Sequence, residues 1–197
     1  MKESIKKAIE VFAQSHNRMF PTNFIIYRDG VGDAQRDQVI QKELTQFREA
    51  FTELYNKVGA QPKMTLVVVN KRITQRFFVK DDRGNLINPP SGCIVDKGLV
   101  EHSNPSGVFD FFMMPSGANQ GCVLPTHFFV PVNESKLKKI ELEQLTYALC
   151  HFYFNWAGPI KVPAPCQYAH KIAEFYMTIG AAKKGKRNDG ESRTGAS

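Results

Sequence analysis

Long apolar runs are absent from this chain of 197 residues, and we expect no secretory leader. Its longest apolar runs, 65–69 and 109–114, are far shorter than the roughly 20 residues that a membrane-spanning helix needs. The N-terminal segment 1–7 is charged, and no apolar block followed by small residues comes after it, which argues against a secretory signal. We therefore expect a soluble intracellular protein with no membrane partner.

Paired cysteines are absent as well. The four cysteines lie far apart in the sequence and form no Cys-x-x-Cys pair, and they are Cys93, Cys122, Cys150 and Cys166. This spacing argues against a zinc knuckle and against a disulfide scaffold. Reduced and mostly buried thiols are the expected state.

Charge is unevenly divided between the two signs. The formal net charge is +7, while 42% of residues are hydrophobic and 23% are charged, which is close to ordinary globular usage. A basic chain favours a polyanionic partner, because clustered Lys and Arg gain affinity by releasing the counterions of phosphates. Many basic proteins bind no polyanion, however, so charge alone leaves nucleic-acid binding open.

The spacing of apolar residues divides the chain into helices and strands. Apolar residues that recur every three or four positions predict helices at 4–13, 33–58 and 135–156. A fourth helix is predicted to follow the prolines at 163 and 165 and to extend through 179. Short β-branched and aromatic runs predict strands at 23–28, 64–69, 76–80, 92–96, 108–114 and 126–132, with a turn at 81–85. The first two strands and the helix between them form a βαβ unit in an α/β fold with a mixed sheet. Residues 183–197 are expected to be a mobile basic tail.

Two residues could carry chemistry. Asp29 ends the first predicted strand, and α/β sheets place ligands and catalytic groups just beyond the carboxyl ends of their strands. A carboxylate there can hold a divalent metal, but it can equally make an Asp-Gly turn or cap the next helix. His170, on the last predicted helix, can ligate a metal or shuttle a proton, but it can also be an ordinary helical histidine. The residues alone leave these alternatives open.

Several blocks of this sequence resemble the Argonaute and PIWI family, and they occur in the family's order over roughly residues 4–182. The first is Tyr-Arg-Asp-Gly-Val after an apolar strand, and the others are 70–77, 110–112, 121–128, 145–151 and 162–171. Asn155-Trp156 and the triplet Cys166-Gln167-Tyr168 look more like the PIWI branch than the Argonaute branch.

The resemblance implies a fold and an activity. Residues 1–182 are expected to be the C-terminal portion of a ribonuclease H-like PIWI domain, a mixed sheet flanked by helices, without its N-terminal strands. One edge of the remaining sheet should then be unpaired. The family binds a small guide RNA, the piRNA class in its PIWI branch, and a complementary target RNA, and active members cut the target as endoribonucleases in gene or transposon silencing.

The resemblance also assigns residues to the metal site. Asp29 matches the second aspartate, and His170 the closing histidine, of a site for Mg²⁺ or Mn²⁺. The family's first aspartate and its mobile glutamate have no counterpart here, so we expect the chain to hold paired metal ions poorly and to lack cleavage activity alone. The ending Arg193–Ser197 differs from the family's apolar terminus, which argues against guide 5′-end binding.

Basic and polar residues elsewhere match positions near the RNA of the family. They are Lys71, Arg72, Arg76, Lys161 and Gln167. Each could equally belong to a solvated basic edge, and the alternative function is a non-catalytic PIWI-like scaffold that binds protein partners, among them those of the silencing machinery. The expected location is the cytoplasm, with the nucleus or RNA granules as alternatives.

Overall fold

A computed structural model describes residues 1–30, 36–56, 58–100, 107–118 and 120–191. The helices are α1 (Lys2–Ser15), α2 (Arg36–Tyr55), α3 (Lys139–Leu149) and α4 (Ala164–Glu191). The strands are β1 (Asn23–Asp29), β2 (Lys63–Asn70), β3 (Val79–Lys80), β4 (Leu86–Ile87), β5 (Cys93–Val95), β6 (Phe109–Met114) and β7 (Thr126–Asn133). Within these ranges, no helix is both long enough and apolar enough to cross a membrane.

The main sheet is mixed and has five strands in the order β1-β2-β7-β6-β5. β1 and β2 are parallel and α2 connects them, so the predicted βαβ unit is confirmed. The other neighbouring pairs in this sheet are antiparallel. β1 lies at one edge, where no described strand pairs with its free side, and this agrees with the expected open edge.

The sheet separates two hydrophobic cores. α1 and α2 pack on one face, where Ile9, Leu44 and Phe47 are buried with Leu66 and Val68 of β2. α3 and the first turn of α4 pack on the other face. The buried residues of this second core include Leu142, Cys166, Val67, Val69, Phe111 and Phe128. Both faces of β2 are therefore buried, which explains its continuous apolar run, and each fully buried aliphatic side chain contributes about 1.5–3 kcal/mol.

The predicted strand at 76–80 was only partly right. β3 covers Val79–Lys80 alone, and it pairs with β4 in a separate two-stranded sheet rather than with the main sheet. The side chain of Asp81 accepts hydrogen bonds from the backbone N–H groups of Arg83 and Asn85, which confirms the predicted turn. Both strands of this short hairpin are exposed, and they make no ladder with the main sheet.

The two C-terminal helices differ from the predictions in length. α3 is shorter than 135–156, because Lys136 adopts a positive φ of 53° and the side chain of Glu141 caps the N–H of Lys138. Beyond Leu149 the chain turns, although Cys150 and Tyr153 remain buried and so continue the apolar periodicity. α4 continues past 179 to Glu191. The mobility of 183–197 stays a prediction, and 192–197 lie outside the described residues.

Gly92 precedes β5 and is held against α3. Its φ is +84°, and a Cβ atom there would lie 2.8 Å from the ring of Tyr147. Gly84 has a similar φ of +82°, but nothing lies within 4 Å of its added Cβ. We predict that Gly92→Ala lowers the free energy of unfolding by about 2–4 kcal/mol, from positive-φ strain plus overpacking, and Gly84→Ala by about 1–2 kcal/mol. Urea unfolding curves measure both, and equal losses would contradict the clash.

Glu143 of α3 is 3% exposed, and its Oε1 atom has no hydrogen-bond partner. Burial, aided by the charge of Asp96 and opposed by that of Lys139, raises the pKa of Glu143 to about 7 from an ordinary 4.5. The folded state therefore holds a proton that the unfolded state releases. The contribution to stability is present below pH 4.5 and is lost as the pH rises through about 7.

We predict that Glu143→Gln removes this loss, because the amide carries no charge to bury. Relative to Glu143→Gln, the wild-type chain should lose unfolding free energy between pH 5.5 and pH 8. Glu10→Gln, on the exposed surface of α1, serves as the matched control. Urea midpoints at both pH values measure the difference, and a wild-type chain that gains stability over this interval would contradict the assignment.

Candidate nucleic-acid interface and partial metal site

Asp29 lies at the carboxyl end of β1, and two cationic or polar donors meet at its side chain. The parallel register pairs Asp29 with Val69, so its carboxylate is on the sheet face that α4 covers. Oδ2 of Asp29 lies 2.8 Å from Nζ of Lys71 and 2.7 Å from Nε2 of His170. The Asp29 side chain is 6% exposed, whereas those of Lys71 and His170 are 38% and 47% exposed.

These contacts fix the charge of Asp29. Burial raises the pKa of its carboxyl, but the hydrogen bonds from Lys71 and His170 outweigh burial, and the pKa lies below its ordinary value. Asp29 is therefore an ionised carboxylate at neutral pH, and such a group only accepts hydrogen bonds. Nε2 of His170 must then be the donor in its contact with Asp29.

An arginine on the other sheet face supports the same strand end. Arg28 donates from Nε to both carboxylate oxygens of Glu43 on α2, at 2.9 and 3.0 Å, and from Nη1 to the backbone carbonyl of Asp29. The Glu43 side chain is 10% exposed. Sequence reasoning missed this pair, although a charged residue within an apolar strand signals the need for a buried partner.

The remaining predicted RNA-contacting residues have different surroundings. Arg72 is exposed, and its backbone N–H donates to the side chain of Asn70. Arg76 is also exposed, but its guanidinium donates to the carbonyls of Ile73 and Gln75 in its own loop. Their contact with RNA stays a prediction.

Lys161 and Gln167 belong to the segment that leads into α4. Lys161 is exposed, and its backbone carbonyl accepts a hydrogen bond of 2.8 Å from Thr126 Oγ1 at the start of β7. Gln167 is half-buried in the first turn of α4, three residues before His170. Their predicted contacts with RNA are likewise untested by the geometry.

All of these segments meet at the end of the sheet where β1 and β2 terminate, which we call the carboxyl edge. β7 begins beside the end of β2, since His127 pairs with Asn70, and β1 ends at the same edge. The structure thus brings Asp29, Lys71 and His170 into contact and places Arg72 and Lys161 in neighbouring loops. A surface groove continues along this edge, and its lining includes Ser91, Ser116, Trp156, Ile160 and Lys161.

A second histidine–carboxylate pair went unnoticed in the sequence. Asp110 on β6 is 1% exposed, and its Oδ2 lies 2.7 Å from Nε2 of His127 on β7. The imidazole of His127 stacks on Phe112, with ring centroids 4.6 Å apart. Asp110 lies in an apolar run, and a buried charge there needs a partner. The register between β6 and β7 supplies that partner, and it depends on the fold.

Asp29 and His170 suit part of a divalent-metal site. A carboxylate oxygen and an imidazole nitrogen are ligand types that Mn²⁺ accepts, and the oxygen also suits Mg²⁺. Oδ2 of Asp29 and Nε2 of His170 lie 2.7 Å apart. Within the described ranges, no group of three or more His, Cys, Asp or Glu residues could hold a metal ion. The two residues therefore fit two positions of a coordination shell and leave the rest to other groups.

Comparison with known proteins identifies relatives of this chain. The sequence profile of the Piwi domain matches residues 1–179. Piwi-like protein 1 of Gallus gallus is 44% identical over 157 residues, which are 80% of this chain and 17% of that protein. Piwi-like protein 1 of Danio rerio is 40% identical over 173 residues, which are 88% of this chain and 19% of that protein.

Solved structures agree with these relatives. The crystal structure of Drosophila Piwi matches with a TM-score of 0.75 and 34% identity, over 87% of this chain and 22% of that one. The Kluyveromyces polysporus Argonaute with a guide RNA matches with a TM-score of 0.71 and 25% identity, over 84% of this chain and 21% of that one.

The mixed sheet with helices on both faces is the C-terminal part of a ribonuclease H-like fold, as the sequence predicted. The chain belongs to the Piwi domain family, and its curated relatives include Piwi-like proteins. It spans between 17% and 22% of the length of the four relatives described above.

The support that the Arg28–Glu43 pair gives to the end of β1 can be tested by removing the charge of Arg28. We predict that Arg28→Met lowers the free energy of unfolding by about 2 kcal/mol, because it leaves the largely buried carboxylate of Glu43 without its partner. Arg48→Met is the matched control, since Arg48 and Glu134 form an exposed pair worth less than about 1 kcal/mol. Chemical denaturation measures both variants. A loss for Arg28→Met no larger than that of the control would contradict the supporting role.

Proposed function

We propose that this chain forms part of the surface on which a small guide RNA and a complementary target RNA are bound, in a protein of RNA-mediated gene or transposon silencing. The observation that carries the proposal is the contact of Lys71 and His170 with the ionised Asp29 at the carboxyl edge of the sheet. Arg72 is exposed and follows Lys71 in the same loop. Membership of the Piwi domain family and the likeness to an Argonaute with a guide RNA support it.

Phosphate binding is the chemistry that this edge offers. Arg72 and Lys161 are exposed, in the loop after β2 and next to the start of β7, at the same end of the sheet as Asp29. The ion pairs of the described residues include neither side chain. The net charge of +7 adds a long-range attraction for a polyanion. Contacts of this kind hold the phosphate backbone without reading its sequence, so base pairing with the guide would select the target.

Asp29 and His170 are proposed to supply two ligands of a metal-dependent RNA-cleavage site in the intact protein. Asp29 offers a carboxylate oxygen, and His170 offers the Nε2 atom of its imidazole in the tautomer that carries the proton on Nδ1. A bound Mg²⁺ or Mn²⁺ would stabilise the charge that develops on a phosphate during cleavage. Within this chain, β1 and α4 fix the positions of the two side chains, and Arg28 supports the strand end.

An alternative role is a non-catalytic scaffold that binds protein partners, and one observation favours it. A set of large apolar side chains is exposed on α4 and the loop before it, with Phe154 at 90%, Trp156 at 64% and Met177 at 77%. Apolar surface of this extent is typical of protein contacts. For either role we propose a cytoplasmic location, with the nucleus or RNA granules as further sites.

Salt dependence separates the two roles. We predict that a single-stranded RNA binds the chain in EDTA, and that its affinity falls steeply with salt. Neutralising Arg72 in Arg72→Gln should weaken binding and reduce the slope of log affinity against log salt by about 0.7–1. Lys7→Gln, an equal charge change on exposed α1 across the sheet, is the control. Fluorescence anisotropy measures both.

RNA affinity that is insensitive to salt, or an Arg72→Gln slope equal to that of Lys7→Gln, would contradict the phosphate-binding edge. Salt-insensitive self-association or partner binding would instead support the scaffold role. The purified chain should release no RNA fragments in Mn²⁺, because the resemblance matches only Asp29 and His170 of this chain to the family's four metal ligands. Metal-dependent cleavage that Asp29→Asn abolishes would contradict this expectation.

A further inference from the structure

The ammonium group of Lys71 contacts both atoms that would ligate a metal ion at this site. Nζ of Lys71 lies 2.8 Å from Asp29 Oδ2 and 3.5 Å from His170 Nε2. A divalent ion bound to the same two atoms would have to approach each to about 2.0–2.2 Å. Lys71 and a bound metal ion would therefore both use one carboxylate oxygen, Oδ2 of Asp29.

Lys71 is also the member of this cluster that can move. Asp29 is held in β1 by its ladder with β2, and His170 is held in α4. Lys71 is the first residue after β2, in a loop that runs to Val79 with no regular structure, and its side chain is 38% exposed. Its flexible four-carbon stem can point the charge to a different anion.

We propose that Lys71 is an internal counter-cation of Asp29, which a divalent metal must displace and which a nucleic-acid phosphate draws away. Metal and RNA binding are then positively coupled through one side chain. By thermodynamic linkage, whatever RNA does for metal affinity, the metal does equally for RNA affinity. The coupling to RNA rests on the proposed function, whereas the competition between Lys71 and the metal does not.

The competition predicts that removing the lysine improves metal binding. Lys71→Met keeps an apolar stem of similar length and deletes the charge, and Lys7→Met makes the same charge change on the opposite face of the sheet. Mn²⁺ titrations followed by the electron paramagnetic resonance signal of the free ion should show an affinity about five- to tenfold higher for Lys71→Met than for Lys7→Met. Adding Asp29→Asn to Lys71→Met should abolish that gain.

Three results would overturn the competition. They are an unchanged or lower Mn²⁺ affinity in Lys71→Met, a gain that survives Asp29→Asn, and the absence of Mn²⁺ binding by Lys71→Met at millimolar concentrations. Circular dichroism spectra that match the wild type exclude misfolding as the cause. None of these results depends on RNA.

The coupling is read from RNA affinity in Mn²⁺ and in EDTA, at constant ionic strength. Mn²⁺ should raise the RNA affinity of the wild type and of Lys7→Met by several-fold more than that of Lys71→Met, which has no lysine to release. Equal effects on all three proteins would overturn the coupling. If no protein binds RNA in EDTA, the proposed function itself fails, and the Mn²⁺ titrations still decide whether Lys71 competes with the metal.

Discussion

One largely buried carboxylate at the end of an edge strand determines the character of this site. Asp29 is 6% exposed and ionised, and an isolated charge so placed would be costly. Lys71 and His170 offset that cost by donating to the same oxygen atom, Oδ2. Because these donors come from the loop after β2 and from α4, the carboxylate joins three separate parts of the chain.

The surrounding fold holds this cluster in place. β2 is buried on both faces and pairs with β1 on one side and β7 on the other. The carboxyl edge is therefore where β1 and β2 end and β7 begins. Arg28 and Glu43 secure β1 to α2 on the opposite face. The strand that bears Asp29 is nevertheless one of the two outer strands of the main sheet among the described residues, and most of its residues are half-exposed.

How much of this was predictable depends on the range of the interactions involved. The βαβ unit was predictable, because apolar runs and the α2 periodicity are local signals. The end of α3 was not, since Cys150 and Tyr153 are buried in a turn and imitate helical periodicity. Likewise, the pairing of β3 with β4 instead of the main sheet depends on packing that a local pattern does not contain.

The candidate site divides along the same line. Asp29 was noticeable from its position after a strand, and His170 from its resemblance to the family's closing histidine. Their contact joins residues 141 positions apart, and no spacing rule predicts it. Contact of Lys71 with RNA stays a prediction, and its pairing with Asp29, 42 positions away in the sequence, was not foreseen. A lysine's choice of partner depends on which anion the folded chain brings within reach.

The central claim is that the sheet edge around Asp29 is the surface that meets nucleic acid. Amide chemical-shift mapping during titration of the ¹⁵N-labelled chain with a short single-stranded RNA tests it most directly. The largest shifts are expected at 70–76, around Lys161 and at 167–170. Shifts confined to α1 and α2, or to the exposed apolar surface around Phe154 and Met177, would contradict it.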